Sequence, residues 1–485
     1  MKKSLRILPT LLILLSLAST AFPQPGRWAE PVNISNTQYT SSEPDMAIGL
    51  DNKIHVVWED YSRTGIPEIS DVLYSCFNGF SWSEPIQISG MDSIDTSGPK
   101  ISVDSNGNPH VVWNFNVFYP PDDILYSTLT DTGWTTPISI ALAYTYNSQT
   151  PDIIVDHNDY VHILWGGVYG GDYQILHRYY DGNEWSGLIQ VTQDTVNNGN
   201  VQLAIDGQNN IHAVWKADSF TWSMGEIFYC KFTNGHWGIP ENLSQCPDST
   251  SKYPSIAIDQ NDFPHVVWSQ RFTSQIYEIW YEYYNGVNWS PPQTLSDLGF
   301  RAERTSISIN QNNDISVLFG AYEHDPIHPT DSYVYYTFYF NSQWTTPDSI
   351  FSEYSCSKVT SSFDQGNRLH VCIPIGFNTY SDIGYTYFEY ENSVEGKVDG
   401  LVDNIGLDCY PNPANNAVYI RLELDSYSDN DLSVYNIAGQ LVKNFSLNAL
   451  YPSLNIIRWD CRNDNGIDVN SGVYFIIINE LIICI

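Results

Sequence analysis

Six of the eleven histidines fall at one position of a recurring pattern: His55, His110, His162, His212, His265 and His370, with Ser316 in the remaining copy. A set of His at even spacing invites a metal reading. Spacing argues against it. Packed sheets stack about 10 Å apart, whereas zinc ligands must approach one ion to about 2 Å. These His are expected to satisfy backbone or turn Asp groups between sheets. A second series has the residue type of calcium loops: Asp104, Asp156, Asp206, Asp259 and Asp364, with Asn310 and Gly49 in the other copies. The D-x-[DN]-x-[DN]-G run with a distal Glu is missing. Asp and Asn at such places accept hydrogen bonds from their own turn. No metal and no cofactor is expected. Recurring Trp residues could stack sugars, but one per copy at a fixed position reads as packing between units.

Chemistry is expected instead where the pattern breaks, in connecting loops. The non-repeated polar residues there are Glu59, Asp60 and Arg63; Asn114 and Asn116; Lys216, Asp218 and Trp222; Arg271; Arg301, Glu303 and Arg304; and Tyr322, Glu323 and His324. Asp60, Arg63, Asp218, Arg271, Arg301 and Arg304 are the candidate ligand-binding residues. Arg271, Arg301 and Arg304 lie in neighbouring connections and are expected to converge. Arg grips carboxylates bidentately, which suits an acidic sugar; solvated loop charge is the alternative. No G-x-S-x-G, HExxH or P-loop occurs, so no catalytic residue is assigned.

What positions these loops is a unit of about fifty residues, written seven times between Trp28 and about Tyr390. Its clearest part is P-x-I-x-x-D-x-x-x-x-x-H-V-V-W, beginning at Pro44, Pro99, Pro151, Val201, Pro254, Thr305 and Val359. Such periods mean solenoids, propellers or arrays. Each copy reads as four strands: an alternating segment, an Asp/Asn/Gly turn, His-Val-Val-Trp, then aliphatic-x-Tyr-x-x-aromatic, then a strand opened by Trp. β-branched and aromatic residues at period two make strands. The expected fold is all-β, a β-propeller of four-stranded blades. Seven blades are expected, or six if one degenerate copy is not a blade. Trp28 to Ser35 precedes the first hairpin, and the last hairpin lacks a clear Trp strand. The N-terminal strand should therefore complete the last blade and remove its exposed edge.

Residues 1–21 read as a signal peptide: Lys2, Lys3 and Arg6, then Leu11 to Leu17, then Ser19-Thr-Ala21. The apolar run is too short to span a bilayer, and no transmembrane segment is expected. The propeller is expected over 26–391, a linker over 392–407, and a small β-sandwich over 408–485. Net charge is −34 with only 21 Lys and Arg, which argues against nucleic acid partners. Eight Cys lack zinc-ligand spacing. Export would permit Cys356–Cys372 and Cys409–Cys461 disulfides; isolated buried thiols are the alternative.

In the last segment, Tyr410-Pro-Asn-Pro413, Tyr435-Asn436 with Gly439 and Val442, Trp459-Asp460 with Gly466, and Ser471-Gly-Val-Tyr-Phe475 stand together. At these residues it resembles the type IX secretion C-terminal sorting domain. That resemblance implies passage across the outer membrane of a Gram-negative bacterium, secretion machinery as partner, and a secreted or cell-surface location. Cys461 stands where the family usually has Gly. FIIINELIICI ends the chain where the family has a further strand and a Lys-rich tail, so a truncated or frame-shifted end is expected. The repeats resemble sialidase-superfamily (BNR-like) propellers in blade pattern and length. They lack the S-x-D-x-G-x-x-W box and Arg-Ile-Pro, so no catalytic residue is carried over. The expected function is a secreted or surface binding module for glycan or protein. The alternative is a divergent, sialidase-like glycoside hydrolase acting on acidic polysaccharide.

Overall fold

The computed structural model describes the chain from Gly26 to Cys484, apart from residues 38, 64–68, 91–94, 117–121, 142–144, 219–223, 273–275, 300, 323–331, 341, 351–357, 377–380, 391–404, 411–417, 425–430, 437–439, 447–452, 460, 465–468, 470–473 and 479–480. The segment expected to be a signal peptide lies outside the described residues. The chain divides into two compact units, Met1–Glu391 and Asn392–Ile485. Every described element is a strand, as period-two patterning dictates.

In the first unit, each repeat forms an antiparallel hairpin followed by a third strand. The first strands are Ser41–Ile48, Asp95–Val103, Tyr146–Val155, Asn197–Ile205, Ser251–Ile258, Arg301–Ile309 and Thr360–Phe363. Each pairs with its second strand, which pairs with the third: for repeat two, Pro109–Asn116 and Asp123–Thr130. The fourth strand is only two-residue pieces and Trp bridges such as Phe77↔Trp82. The N-terminal pieces Gly26–Trp28 and Val32–Asn33 pair with Asp382–Tyr390, Trp28 opposite Phe388. The start of the propeller and its last repeat thus share one sheet, while the first repeat forms its own. The fifth and sixth sheets are joined by one parallel pair, Tyr277↔Arg301.

Aromatic residues stitch consecutive sheets. Trp134 meets Tyr74 edge-on at 4.9 Å, Trp185 meets Tyr126 at 5.3 Å, and Trp237 meets His177 at 5.6 Å. Trp289 meets Tyr229 at 4.9 Å and Trp344 meets Tyr281 at 5.0 Å. The cycle ends with Trp28 on Tyr336 at 5.2 Å and Trp82 on Tyr385 at 4.9 Å. Each fourth-strand Trp therefore packs on the third strand of the preceding sheet, and the first sheet packs on the last. Edge-to-face pairs of this kind add about 1 kcal/mol beyond area burial. The second-strand residues Trp58, Trp113, Trp165, Trp215 and Trp268 are fully buried between sheets.

The recurring His and Asp are structural, but the His act within their own sheet and not between sheets as expected. His55, His110, His212, His265 and His370 bond through Nδ1 to the third-strand Tyr hydroxyl at 2.6–2.8 Å. His162 meets His177 instead, at 3.0 Å. In all but His55, whose copy has Gly49 in place of the Asp, Nε2 faces the turn Asp, closest at His212–Asp206, 3.1 Å. Burial holds His55 and His212 down at about 4, so both are neutral at pH 7. Asp156 accepts the Asn158 and Tyr160 N–H groups, each at 2.8 Å. Burial alone would raise it, yet His162 and those turn N–H groups hold it at about 2.

What links turn to turn is the left-handed residue two before the second strand. Asp159 (φ 61) accepts Ser105 N–H at 2.8 Å, Asn209 accepts His157 N–H at 2.7 Å, and Asn313 accepts Gln260 N–H at 2.8 Å. Asp and Asn tolerate that conformation because their short side chains bond locally.

The second unit contains two antiparallel sheets. One orders Ile405–Tyr410, Val418–Leu424 and Ser453–Trp459; the other orders Leu441–Ser446, Asp431–Asn436, Tyr474–Ile478 and Leu481–Cys484. Ile420, Leu432, Val434, Trp459 and Ile476 form its core. The first strand begins inside the stretch expected as linker. Cys372 is a free, buried thiol; Cys356 and the Cys409 side chain lie outside the described residues.

Candidate functional site

First strands begin, second strands end and third strands begin at one end of the sheets, so the predicted loop residues gather there. A repeated β-bulge shapes this end. Pairing slips between Ser42 and Asp45, Ser97 and Lys100, Gln149 and Asp152, Gly199 and Gln202, Lys252 and Ser255, and Glu303 and Ser306. In each slip one residue takes positive φ: Glu43, Gly98, Thr150, Asn200, Tyr253 and Arg304. An extra residue in one strand re-aims the side chains around it.

Neighbouring first strands pack around one axis, Thr360–Phe363 lying beside both Arg301–Ile309 and Ser41–Ile48. The residue two after the bulge points at this axis and at the next sheet. Asp45 accepts Ile101 N–H at 3.0 Å, Asp152 accepts Leu203 N–H at 2.7 Å, and Ser255 accepts Ile307 N–H at 3.2 Å. Lys100 crosses between them: its Nζ is 3.1 Å from Gln202 Oε1, 3.5 Å from Asp152 and 3.7 Å from Asp45. Lys358 also reaches Asp45, at 3.7 Å. Burial works to lower Lys100, but Asp152 and Asp45 more than offset it and hold the ammonium charged.

Above this ionic plug lies an aromatic and charged mouth. Lys252 Nζ stands 4.1 Å from the Tyr277 ring centre and 5.0 Å from that of Tyr253. Arg301 lies 5.4 Å over Tyr277, and Arg304 lies 5.4 Å over Tyr253. Glu303, buried, takes Lys252 at 2.5 Å and Arg301 at 2.6 and 3.1 Å. Arg304 reaches past the seventh repeat to Glu43 at 2.7 Å. Glu59 is buried beside Tyr61; burial, with the charge of Glu43, pushes it up to about 7 against the Tyr61 hydrogen bond. Cations over aromatic faces contribute about 0.5–2 kcal/mol each, more when desolvated.

Of the three Arg, Arg271 and Arg301 flank Tyr277 in the sheet, each paired with it from one side. Arg301 and Arg304 share the mouth but serve different carboxylates, because the bulge between them turns their side chains apart. Arg271 is fixed through its backbone, N–H to Thr250 O at 2.9 Å, with Ser249 Oγ bonding its carbonyl at 2.6 Å. Asp60 is fully buried and accepts Ser41 Oγ at 2.7 Å. Asp218 is paired with Lys216 at 2.7 Å in the fourth repeat. Arg63 closes its second strand, and its side chain, like Trp222, Glu323 and His324, lies outside the described residues. Sequence reasoning missed Glu43, Lys252, Tyr253 and Tyr277. The one available signal was position: Glu43 and Tyr253 stand directly before the repeat's Pro. Among the described residues, no group of three His, Cys, Asp or Glu could hold a metal ion, and no helix is long and apolar enough to cross a membrane.

Residues 408–481 match the model of the secretion system C-terminal sorting domain. The chain is accordingly exported, to the outer cell surface or beyond it, and its sorting domain engages the secretion machinery. No curated protein matches the chain. Among solved structures it is similar to a protein of unknown function from Dyadobacter fermentans, with 10% identity over 76% of this chain and 99% of that one at a TM-score of 0.50. It is also similar to an ulvan lyase bound to a GlcA(1-4)Rha3S ligand, with 10% identity over 73% and 95% of the two chains and a TM-score of 0.50. A Hadza microbial sialidase matches at 9% identity over 74% and 68%, TM-score 0.43. At these identities the likeness extends to the fold alone, an all-β propeller.

Proposed function

We propose that the chain is an exported seven-bladed β-propeller that binds a carboxylate-bearing extracellular glycan at its channel mouth without transforming it. The blades span 26–391, closed by the N-terminal strand; a linker leads to a C-terminal sandwich whose first strand begins at Ile405. The carrying observation is the mouth itself, where Lys252, Arg301 and Arg304 lie over Tyr253 and Tyr277. Two of these cations share the single carboxylate of Glu303. In a chain of net charge −34, that is an unusual concentration of cations on rigid aromatic supports, suited to a sugar ring with an acidic substituent. A closed ring places such a surface on strand ends, which fixes its geometry better than loops would.

The test is affinity electrophoresis of the full chain in gels containing polygalacturonate, alginate or hyaluronan. At least one should retard it, and Tyr253→Ala or Tyr277→Ala should weaken retardation about threefold to tenfold, the worth of one aromatic contact. No retardation by any of the three would refute the reading.

A second reading, a divergent glycosidase on acidic polysaccharide, draws on Glu59. A buried carboxyl held near 7 beside a tyrosine is suited to proton transfer at neutral pH. It predicts new reducing ends from those same polysaccharides, abolished in Glu59→Gln. Unchanged turnover in that variant, or none in the parent chain, would sink it.

A further inference from the structure

The opposite end of the sheets, which carries the Asp/Asn turns, holds two cavities that the channel-mouth reading does not use. One, of about 430 Å³, opens between the fourth and fifth sheets; the other, of about 320 Å³, opens between the third and fourth. Gln208 borders both, so they are neighbours separated by one side chain. Both volumes fall within the ~300–1,000 Å³ common to small-molecule sites.

The two cavities break the repeat in the same way. The residue two before the second-strand His is Lys53, Asn108, Asn210, Asp314 or Arg368 in five copies, the sixth-repeat position being counted from Ser316. It is aromatic in the other two, Tyr160 and Phe263, and each of these lines one of the cavities. The backbone makes room for Phe263. Gly286 has φ +91, and a Cβ there would lie 2.8 Å from Phe263 Cζ. Phe263 then stands edge-on to Tyr284 at 6.2 Å, with Trp289 also in the wall. In the second cavity Tyr160 stacks on Tyr179 at 6.3 Å with an 8° tilt. Ile239, 88% exposed, lines the larger cavity, and Val287, 75% exposed, follows Gly286. Large exposed apolar side chains of this kind, gathered beside aromatic walls, mark contact surfaces.

The polar groups indicate what would fill the space. Gln208 is held by its Nε2 bond to Asp262 at 3.2 Å, and Asp262 is fixed by Gly207 N–H at 2.6 Å. Asn209, Asn234 and Asn261 add further amides. The cation of the larger cavity, Lys231, is bound to Asp206 at 2.8 Å, while Glu241 and Asp262 add negative charge. An anion is disfavoured there. Aromatic faces for C–H groups, and amides and carboxylates for hydroxyls, are complementary to an uncharged sugar. We propose that these clefts are paired subsites for a neutral glycan. They lie one repeat apart, so a chain touching both gains by effective concentration what each lacks alone. This inference is independent of the mouth, whose proposed ligand is acidic.

The test uses the full chain and three neutral polysaccharides, mannan, xylan and laminarin, in affinity gels. Tyr160→Asn and Phe263→Asn install the residue found at Asn108 and Asn210, which the repeat already accommodates. At least one polysaccharide should retard the parent chain. Each single substitution should weaken binding about threefold to tenfold, and the double substitution should weaken it more than either. Should none of the three polysaccharides bind, or should the double variant bind like the parent, the proposal fails. It fails equally if an apolar peptide library binds at these residues and no glycan does.

Discussion

Glu282 occupies a position where five of the other six sheets place a hydrogen-bond donor. Ser75, Ser127, Thr337 and Thr386 donate their hydroxyls to the carbonyl of the residue after the fourth-strand Trp, at 2.6–2.8 Å. In the third sheet Arg178 Nε does so at 2.9 Å. The equivalent carbonyl in the fifth sheet belongs to Ser290, and a carboxylate cannot donate to it. Glu282 is 5% exposed and its Oε2 has no hydrogen-bond partner. Burial, assisted by Glu241, raises it from 4.5 to about 7. A carboxyl raised on folding stabilises the fold fully below its unfolded pKa. That stability drains away as pH rises from about 4.5 to about 7, and is constant above. The difference amounts to at most about 3 kcal/mol at 1.36 kcal/mol per pKa unit. Glu282→Gln keeps the volume and supplies a permanent N–H donor. Urea unfolding of parent and variant, followed by fluorescence from pH 4.5 to 8, should show the variant near parity at pH 4.5 and up to about 3 kcal/mol more stable at pH 8. Glu59 titrates in the same window but is common to both chains and cancels. Parallel curves across that range would refute the reasoning.

Lys100→Met should leave Asp152 without its cation and Asp45 with Lys358 alone, and destabilise the chain by about 3 kcal/mol at pH 7, measured by urea unfolding. Adding Asp152→Asn should recover part of the loss. Trp28→Ala and Trp185→Ala should each cost about 3 kcal/mol by the same assay, because the two Trp make like contacts in one closed cycle; a harmless Trp28→Ala would mean the first strand is ornamental. Tyr229→Phe, which removes the hydroxyl facing His212 Nδ1, should cost about 1 kcal/mol and leave a buried imidazole nitrogen without its bond.

Much of this architecture was readable from the sequence because the residues that build it recur by type. Trp, Tyr, His and Asp stand at fixed offsets, and each does the same job in nearly every sheet. The site was less readable, and for a physical reason. The residue two after the bulge is Asp45, Lys100, Asp152, Gln202, Ser255 and Ser306 in successive repeats. A position that varies so much looks like surface, yet it lines the axis, where side chains must complement one another and not their own copies. The bulges were equally hidden, since Glu43, Tyr253 and Arg304 adopt positive φ without being Gly or Asn. Through that bulge Arg301 and Arg304, three apart in sequence, face different carboxylates. Expecting the His to bridge sheets failed because strand pairing brings the third-strand Tyr hydroxyl closer than any group of the next sheet.

Hydrogen exchange at Ala29 and Ile34 probes ring closure most directly. Their N–H groups donate to Tyr387 O at 2.9 Å and Ile383 O at 2.8 Å, joining the beginning of the propeller to its final sheet. Protection at both amides should match that of the Leu369–Ile375 strand and disappear together with it on global unfolding. Exchange at Ala29 and Ile34 as fast as in an unstructured peptide, while Leu369–Ile375 stays protected, would contradict a ring closed by its first strand.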